Sequence, residues 1–267
     1  MTKEKQRIVV AQRADLAAPL VALLEKRGAH ALQVPVCKWA PPPNPARFDK
    51  IVAKANARSY DWILFSNPHT VHFFFERYRE LFGDVRGLAG TRLGAYGPMT
   101  GQALRSLRLN PAMVAADHKT RLILGAIAAV SKTGSVKAVK GRRFLVVRGN
   151  ARHATEDVPR ALKKAGARAD VLQGYAVVTD TRDLTSDAAD MLNNGADWLV
   201  FASAMAIKHF DRRFGMKKLL SRFPGIRAAV TNKTLVPALK KAGMTPSVIA
   251  RPNDPRDLVE KICGYLK

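Results

Sequence analysis

A chain of 267 residues is long for one compact core and comfortable for two domains of ordinary size. Its two cysteines, Cys37 and Cys263, are too few for a disulfide scaffold or a structural zinc site, so a reducing cytoplasm is the simplest setting. Lys and Arg number 45 against 21 Asp and Glu, a formal charge of +24 that suits polyanionic partners or, more plainly, a solvated basic surface.

The apolar run 8–11 is a strand, too short for a signal peptide or a membrane span. Gln12-Arg13-Ala14-Asp15 turns into a helix with Leu16, Leu20, Leu23 and Leu24 on one face, and Gly28 stops it. A strand over 32–36 runs into Trp39-Ala40-Pro41-Pro42-Pro43, which must leave as an extended segment, since proline neither continues a helix nor donates to a sheet. A helix over 48–57 leads to the buried strand Asp61-Trp62-Ile63-Leu64-Phe65, the polar turn Ser66-Asn67, and a helix carrying Val71, Phe74, Phe75 and Tyr78. The strand 92–96 feeds Gly97-Pro98-Met99-Thr100-Gly101, a tight turn with outward amides and with Thr100 able to cap or bind. A strand over 112–115, a helix over 120–130 and a polar, flexible stretch over 131–141 follow.

A second cycle opens with the strand and polar turn of 143–150, and its helix over 158–165 stops at Gly166, 138 positions after Gly28. The extended run 171–181 takes the place held earlier by the proline-rich segment. Asp197-Trp198-Leu199-Val200-Phe201-Ala202-Ser203 repeats the Asp61 stretch 136 positions on, before a helix with Ile207, Phe210 and Phe214. The segment 227–234 parallels the earlier strand and turn, and a strand over 247–250 precedes a helix over 255–266. Strands alternate with helices and carry unbroken apolar runs, so parallel sheets covered on both faces are expected. A strand, a polar turn and a helix N-terminus, used twice, present backbone N–H groups to anions.

This order of motifs resembles the uroporphyrinogen-III synthase family over nearly the whole chain. Four places carry the resemblance: Val9-Val10-Ala11-Gln12-Arg13 with the Gly28-Ala29 helix stop; Ile63-Leu64-Phe65-Ser66-Asn67 before a helix with Val71; Ala95-Tyr96-Gly97-Pro98-Met99-Thr100 with Ala103-Leu104; and Leu145-Val146-Val147-Arg148-Gly149 followed by Tyr175. The resemblance implies an α/β fold of two flavodoxin-like parallel-sheet lobes joined by two extended crossing strands, with the ligand cleft between them. Residues 1–38 with 178–267 would form one lobe and 39–177 the other.

It also implies a cofactor-free lyase of porphyrin and heme biosynthesis, a cytoplasmic monomer that cyclises hydroxymethylbilane to uroporphyrinogen III. The linear tetrapyrrole loses water and closes through a spiro intermediate, and its last pyrrole ring is inverted. Eight substrate carboxylates give the strand-to-helix turns a purpose: Ser66, Asn67, Gly97, Met99, Thr100, Ser203, Ala204, Asn232, Lys233 and Thr234 would hold them by amides and hydroxyls. Arg13, and Arg148 with Gly149, end the first strands of their repeats, where a guanidinium would pair a carboxylate or a structural acid. Tyr175 is the candidate for acid assistance to the departing hydroxyl, with an aromatic packed at a hinge as the alternative.

Three places depart from the family pattern: Thr231-Asn232 replaces a Gly-Pro turn, Ala202-Ser203 replaces Thr-Ser, and Ala176-Val177-Val178-Thr179 lacks a polar residue next to Tyr175. They leave open a non-catalytic, polyanion-binding homologue. A nucleic-acid binder is a further alternative, motivated by charge alone, since the basic residues are spread throughout and no zinc-finger, helix-turn-helix or RNP-type pattern occurs. His30, His69, His72, His118, His153 and His209 show no metal-ligand spacing, so no metal is expected. Ser66 and Ser203 lack a Gly-x-Ser-x-Gly elbow, and Gly94, Gly97 and Gly101 do not form a dinucleotide fingerprint.

Overall fold

The structure, a computed structural model, describes residues 5–117, 119–131, 139–149, 157–183, 185–252 and 254–265. Asn150, His118, His153 and most of the 131–141 stretch lie outside the described residues. The chain divides into two compact units, Met1–Lys38 with Val177–Lys267, and Trp39–Ala176.

In chain order, β1 (Arg7–Gln12), α1 (Ala14–Glu25) and β2 (His30–Pro35) open the discontinuous unit, and β3 (Cys37–Ala40) leads out of it. The central unit holds α2 (Pro45–Asn56), β4 (Trp62–Phe65), α3 (Pro68–Phe82), β5 (Arg92–Tyr96), α4 (Pro98–Ser106), β6 (Met113–Ala115), α5 (Thr120–Ala129), β7 (Arg143–Arg148), α6 (Asp157–Lys164) and β8 (Arg168–Gln173). After β9 (Ala176–Thr179), the discontinuous unit is completed by α7 (Asp187–Asn194), β10 (Trp198–Phe201), α8 (Ala204–Phe214), α9 (Met216–Arg222), β11 (Arg227–Val230), α10 (Val236–Lys241), β12 (Val248–Ile249) and α11 (Pro255–Gly264).

Each unit has a five-stranded parallel sheet, in the order β2-β1-β10-β11-β12 in one and β8-β7-β4-β5-β6 in the other, and β3 pairs with β9 in a third, two-stranded sheet. The spatial order is the same in both five-stranded sheets once β7 and β8 are matched to β1 and β2. The chain simply enters the two at different strands.

The repeated Asp-Trp dipeptide does the same work twice. Asp61 Oδ2 accepts the Arg143 N–H at 2.8 Å, and Asp197 Oδ2 accepts the Arg7 N–H at 2.8 Å, each closing the start of a neighbouring strand. Arg92 lies over the Trp62 ring at 5.5 Å and Arg227 over Trp198 at 5.8 Å. Side chains alternate across each sheet, as the period of two requires. Ile63 and Phe65 pack in one core layer of the central unit and Trp62 and Leu64 in the other; Leu199 and Phe201, then Trp198 and Val200, do so in the discontinuous unit.

Among the described residues the expected strands and helices are present, but several bounds shift: α4 begins at Pro98, inside the turn expected over 97–101. The helix expected over 48–57 starts earlier, at Pro45, because Asn44 accepts the Arg47 N–H at 2.9 Å and caps it. The run 171–181 is two strands, broken at Gly174-Tyr175. On α1, Ala17 is buried with Leu20 and Leu24 whereas Leu16 is 53% exposed, so the apolar stripe lies one position round from the expected one.

Candidate functional site

Ligands of open parallel sheets bind beyond the carboxyl ends of the strands, where the connections of two neighbouring strands leave in opposite directions. That point falls between β4 and β7 in the central unit and between β1 and β10 in the discontinuous unit. Ser66 and Asn67 follow β4, Arg148 and Gly149 stand at the end of β7, and Tyr175 comes just after β8. The sequence candidates of the central unit are thus grouped by topology, although Asn67 and Tyr175 lie 108 positions apart in the chain.

Asn67 begins α3 with a capping box. Its Oδ1 accepts the Thr70 N–H at 3.1 Å, while Thr70 Oγ1 accepts the Asn67 N–H at 3.3 Å. With that end of the amide engaged, Nδ2 donates to Tyr175 Oη at 3.0 Å and to Ser66 Oγ at 3.3 Å. Gly149 clears the space for the phenol, since a β-carbon there would run into Tyr175 Oη and Cζ. Gln173 Nε2 holds the Tyr175 carbonyl at 3.1 Å. Around the ring stand Trp39 at 4.9 Å, edge-on, with Phe73 and His69 both at 5.9 Å between centroids. Tyr175 is left 6% exposed. A phenol whose oxygen accepts a hydrogen bond is polarised as a donor in turn.

The turn after β5 differs in kind. Gly97 adopts φ +85°, which admits α4 directly but supplies no side-chain cap. The first-turn amides of α4 at Met99 and Thr100 therefore point out of the helix end, and Met99 is 68% exposed. Thr100 is buried, and its hydroxyl donates to the Tyr96 carbonyl at 2.8 Å, so it offers an anion its amide and not its hydroxyl.

In the discontinuous unit the candidate side chains are tied up locally. Arg13 forks onto Asp15 at 2.8 and 2.7 Å. Ser203 Oγ accepts the Ala206 N–H at 3.1 Å and caps α8, with Ala204 exposed in its first turn. Asn232 Oδ1 accepts both the Thr234 N–H, at 3.0 Å, and the Thr234 hydroxyl. Because Asn232 is extended, a 3-10 turn at Lys233–Leu235 precedes α10, with Lys233 and Thr234 exposed on it. The Thr231-Asn232 departure thus changes how the helix is entered.

Several contributors are not singled out by sequence reasoning. The sequence alone puts Trp39 in a linker and His69 at a helix start, yet with Phe73 they surround Tyr175; three separate segments supply this cluster, and no local pattern announces it. The same holds for His209 of α8, whose Nδ1 meets Thr179 Oγ1 at 2.8 Å. Burial, together with Arg212 and Lys208, holds His209 below the ordinary histidine range. Next to Thr179 in sequence, Asp180 is buried and takes two bonds from the Arg182 guanidinium, at 2.9 and 2.7 Å, which hold its carboxyl below the usual range. Among the described residues no group of three or more His, Cys, Asp or Glu could hold a metal ion, and no helix is long and apolar enough to cross a membrane.

The sequence matches the family described as Uroporphyrinogen-III synthase HemD over residues 18–260. A curated relative, the porphyrin biosynthesis protein HemD of Ruminiclostridium josui, is 29% identical over 103 residues, which are 39% of this chain and 20% of that protein; the match covers about a fifth of the relative's length. A mutant uroporphyrinogen III synthase of the extremely thermophilic bacterium Thermus thermophilus shares the fold at 20% identity, covering 98% of each chain with a TM-score of 0.55. The uroporphyrinogen-III synthetase of Helicobacter pylori does so at 14% identity, covering 98% of this chain and 100% of that one, with a TM-score of 0.56. The match over 18–260 makes the chain a member of the uroporphyrinogen-III synthase family.

Proposed function

We propose that this protein is a cofactor-free, monomeric, cytoplasmic lyase that converts hydroxymethylbilane to uroporphyrinogen III. The observation that supports this reading, beyond family membership, is the Tyr175 phenol held by Asn67 Nδ2 above Gly149 at the β4/β7 switch point. In this reading the Tyr175 hydroxyl donates its proton toward the terminal hydroxyl of the substrate, which departs as water and leaves an azafulvene cation. Attack by the substituted carbon of the last pyrrole gives the spiro intermediate, from which that ring is inverted before final closure. The backbone amides of Met99, Thr100, Ala204 and Lys233, with Arg148 and with Arg13 exchanging its Asp15 partner for substrate, bind substrate carboxylates and hold the bilane in a near-cyclic shape. The catalytic gain is then chiefly proximity: ring closure at the inverted position must outrun spontaneous closure to the other isomer.

A second reading, a homologue that binds the polyanion without turnover, draws on the capped side chains of Ser203 and Asn232. Supplying hydroxymethylbilane in situ and typing the cyclised product separates the two. Uroporphyrinogen III supports the synthase, and uroporphyrinogen I alone supports the binder.

A further inference from the structure

The opposite, strand-start end of the central sheet carries a second feature, unconnected with the reading above. Lys54 in the last turn of α2, Arg143 opening β7 and Arg168 opening β8 line a cavity of about 290 Å³ together with Tyr60 and Asp170. None of the three cationic side chains makes a hydrogen bond or ion pair among the described residues. The one carboxylate there, Asp170, accepts the Tyr60 hydroxyl at 2.7 Å.

The other unit supplies an internal control. There β1 opens with Arg7 and β2 with His30, paired in register as Arg143 is with Arg168. Arg7 is neutralised by Asp190 of α7 at 2.8 Å, and His30 Nε2 lies 3.9 Å from the same carboxylate. Asp190 stands as far ahead of Trp198 as Lys54 stands ahead of Trp62. One position of the repeated fold therefore carries an acid in the discontinuous unit and a base in the central one. The same pair of strand starts is ion-paired in the first, whereas in the second Arg143 feels Asp61 only at longer range and neither arginine has a direct ion pair among the described residues.

We propose that this cavity is a binding site for a compact small-molecule polyanion, phosphate- or carboxylate-bearing, with one anionic group taking the place that the Asp190 carboxylate takes in the other unit. Three converging cations draw such a ligand in, and the Tyr60–Asp170 pair on the wall presents an acceptor to any hydroxyl it carries.

Isothermal titration of the full chain at low ionic strength, with pyrophosphate and citrate as probes, tests this. Wild type and a control, Lys217→Gln with Lys218→Gln on the exposed face of α9, are expected to bind with equal affinity. Arg143→Gln with Arg168→Gln should weaken binding at least tenfold, and so should Lys54→Asp, which restores the acid of the other unit. Melting curves of each variant, unchanged from wild type, show that the loss is not unfolding. Tighter pyrophosphate assigns the site to phosphates, and tighter citrate to carboxylates. Equal weakening in the control, undiminished binding by Lys54→Asp, or no binding of either probe to wild type at millimolar concentration would each overturn the proposal.

Discussion

Asn67 uses both ends of its amide, one to start α3 and the other to hold the Tyr175 hydroxyl. Asn67→Asp keeps the capping oxygen but turns a donor into an acceptor, so the phenol must spend its proton on the new carboxylate. Turnover should fall at least tenfold, roughly 1.4 kcal/mol of barrier, with the melting temperature nearly unchanged; steady-state kinetics beside a thermal melt read both. Tyr175→Phe should slow turnover and leave the fold intact, and unchanged kinetics would remove Tyr175 from the mechanism. Gly149→Ala must displace the ring, at a cost of about 1–3 kcal/mol in urea unfolding. The positions of these candidates were legible from motif order and family resemblance. Their partners were not, because a hydroxyl such as Thr100's can face solvent or its own helix with the same sequence around it.

At the scale of elements, α8 packs its buried His209 against Thr179 of β9. Since burial holds the folded-state value below the ordinary histidine value of about 6.5, the unfolded chain takes up the proton first. The stabilisation is complete above that value and is lost as pH falls through the folded-state one. Wild type should therefore lose more melting temperature between pH 7.5 and 5.5 than His209→Gln, measured by calorimetry; parallel losses would show that His209 does not titrate on unfolding. Most of the element order was readable in the sequence, because the Asp61 and Asp197 stretches repeat with their glycine helix stops and unbroken apolar strands. Gly28 and Gly166 do sit at positive φ, +81° and +84°, as helix stops. The break at Gly174-Tyr175 was hidden, since an extended run does not show which residues pair in a sheet and which cross between sheets.

For the molecule as a whole, the sequence shows a doubling but not a permutation. The offset of 136 matches β4 with β10 but does not show that β1 and β2 belong beside β10 while β7 and β8 belong beside β4, as the strand order has them. Placing residues 1–38 with the C-terminal part rested on the family resemblance, because periodicity is the same whichever sheet a strand joins. The +24 charge is also clearer at this scale. Some basic residues are consumed internally, as Arg7 is by Asp190 and Arg182 by Asp180, while Lys54, Arg143 and Arg168 are not. If tetrapyrrole carboxylates are held by helix-end amides as well as by side chains, added salt should raise KM more than it lowers kcat.

The central claim is that the protein imposes a shape on a linear tetrapyrrole faster than the chain closes unaided. The direct measurement is the ratio of uroporphyrinogen III to uroporphyrinogen I, with hydroxymethylbilane generated at a fixed rate and the protein concentration raised stepwise. The account predicts that isomer III rises with protein until it displaces isomer I. A ratio that stays at its protein-free value over the whole range would contradict it.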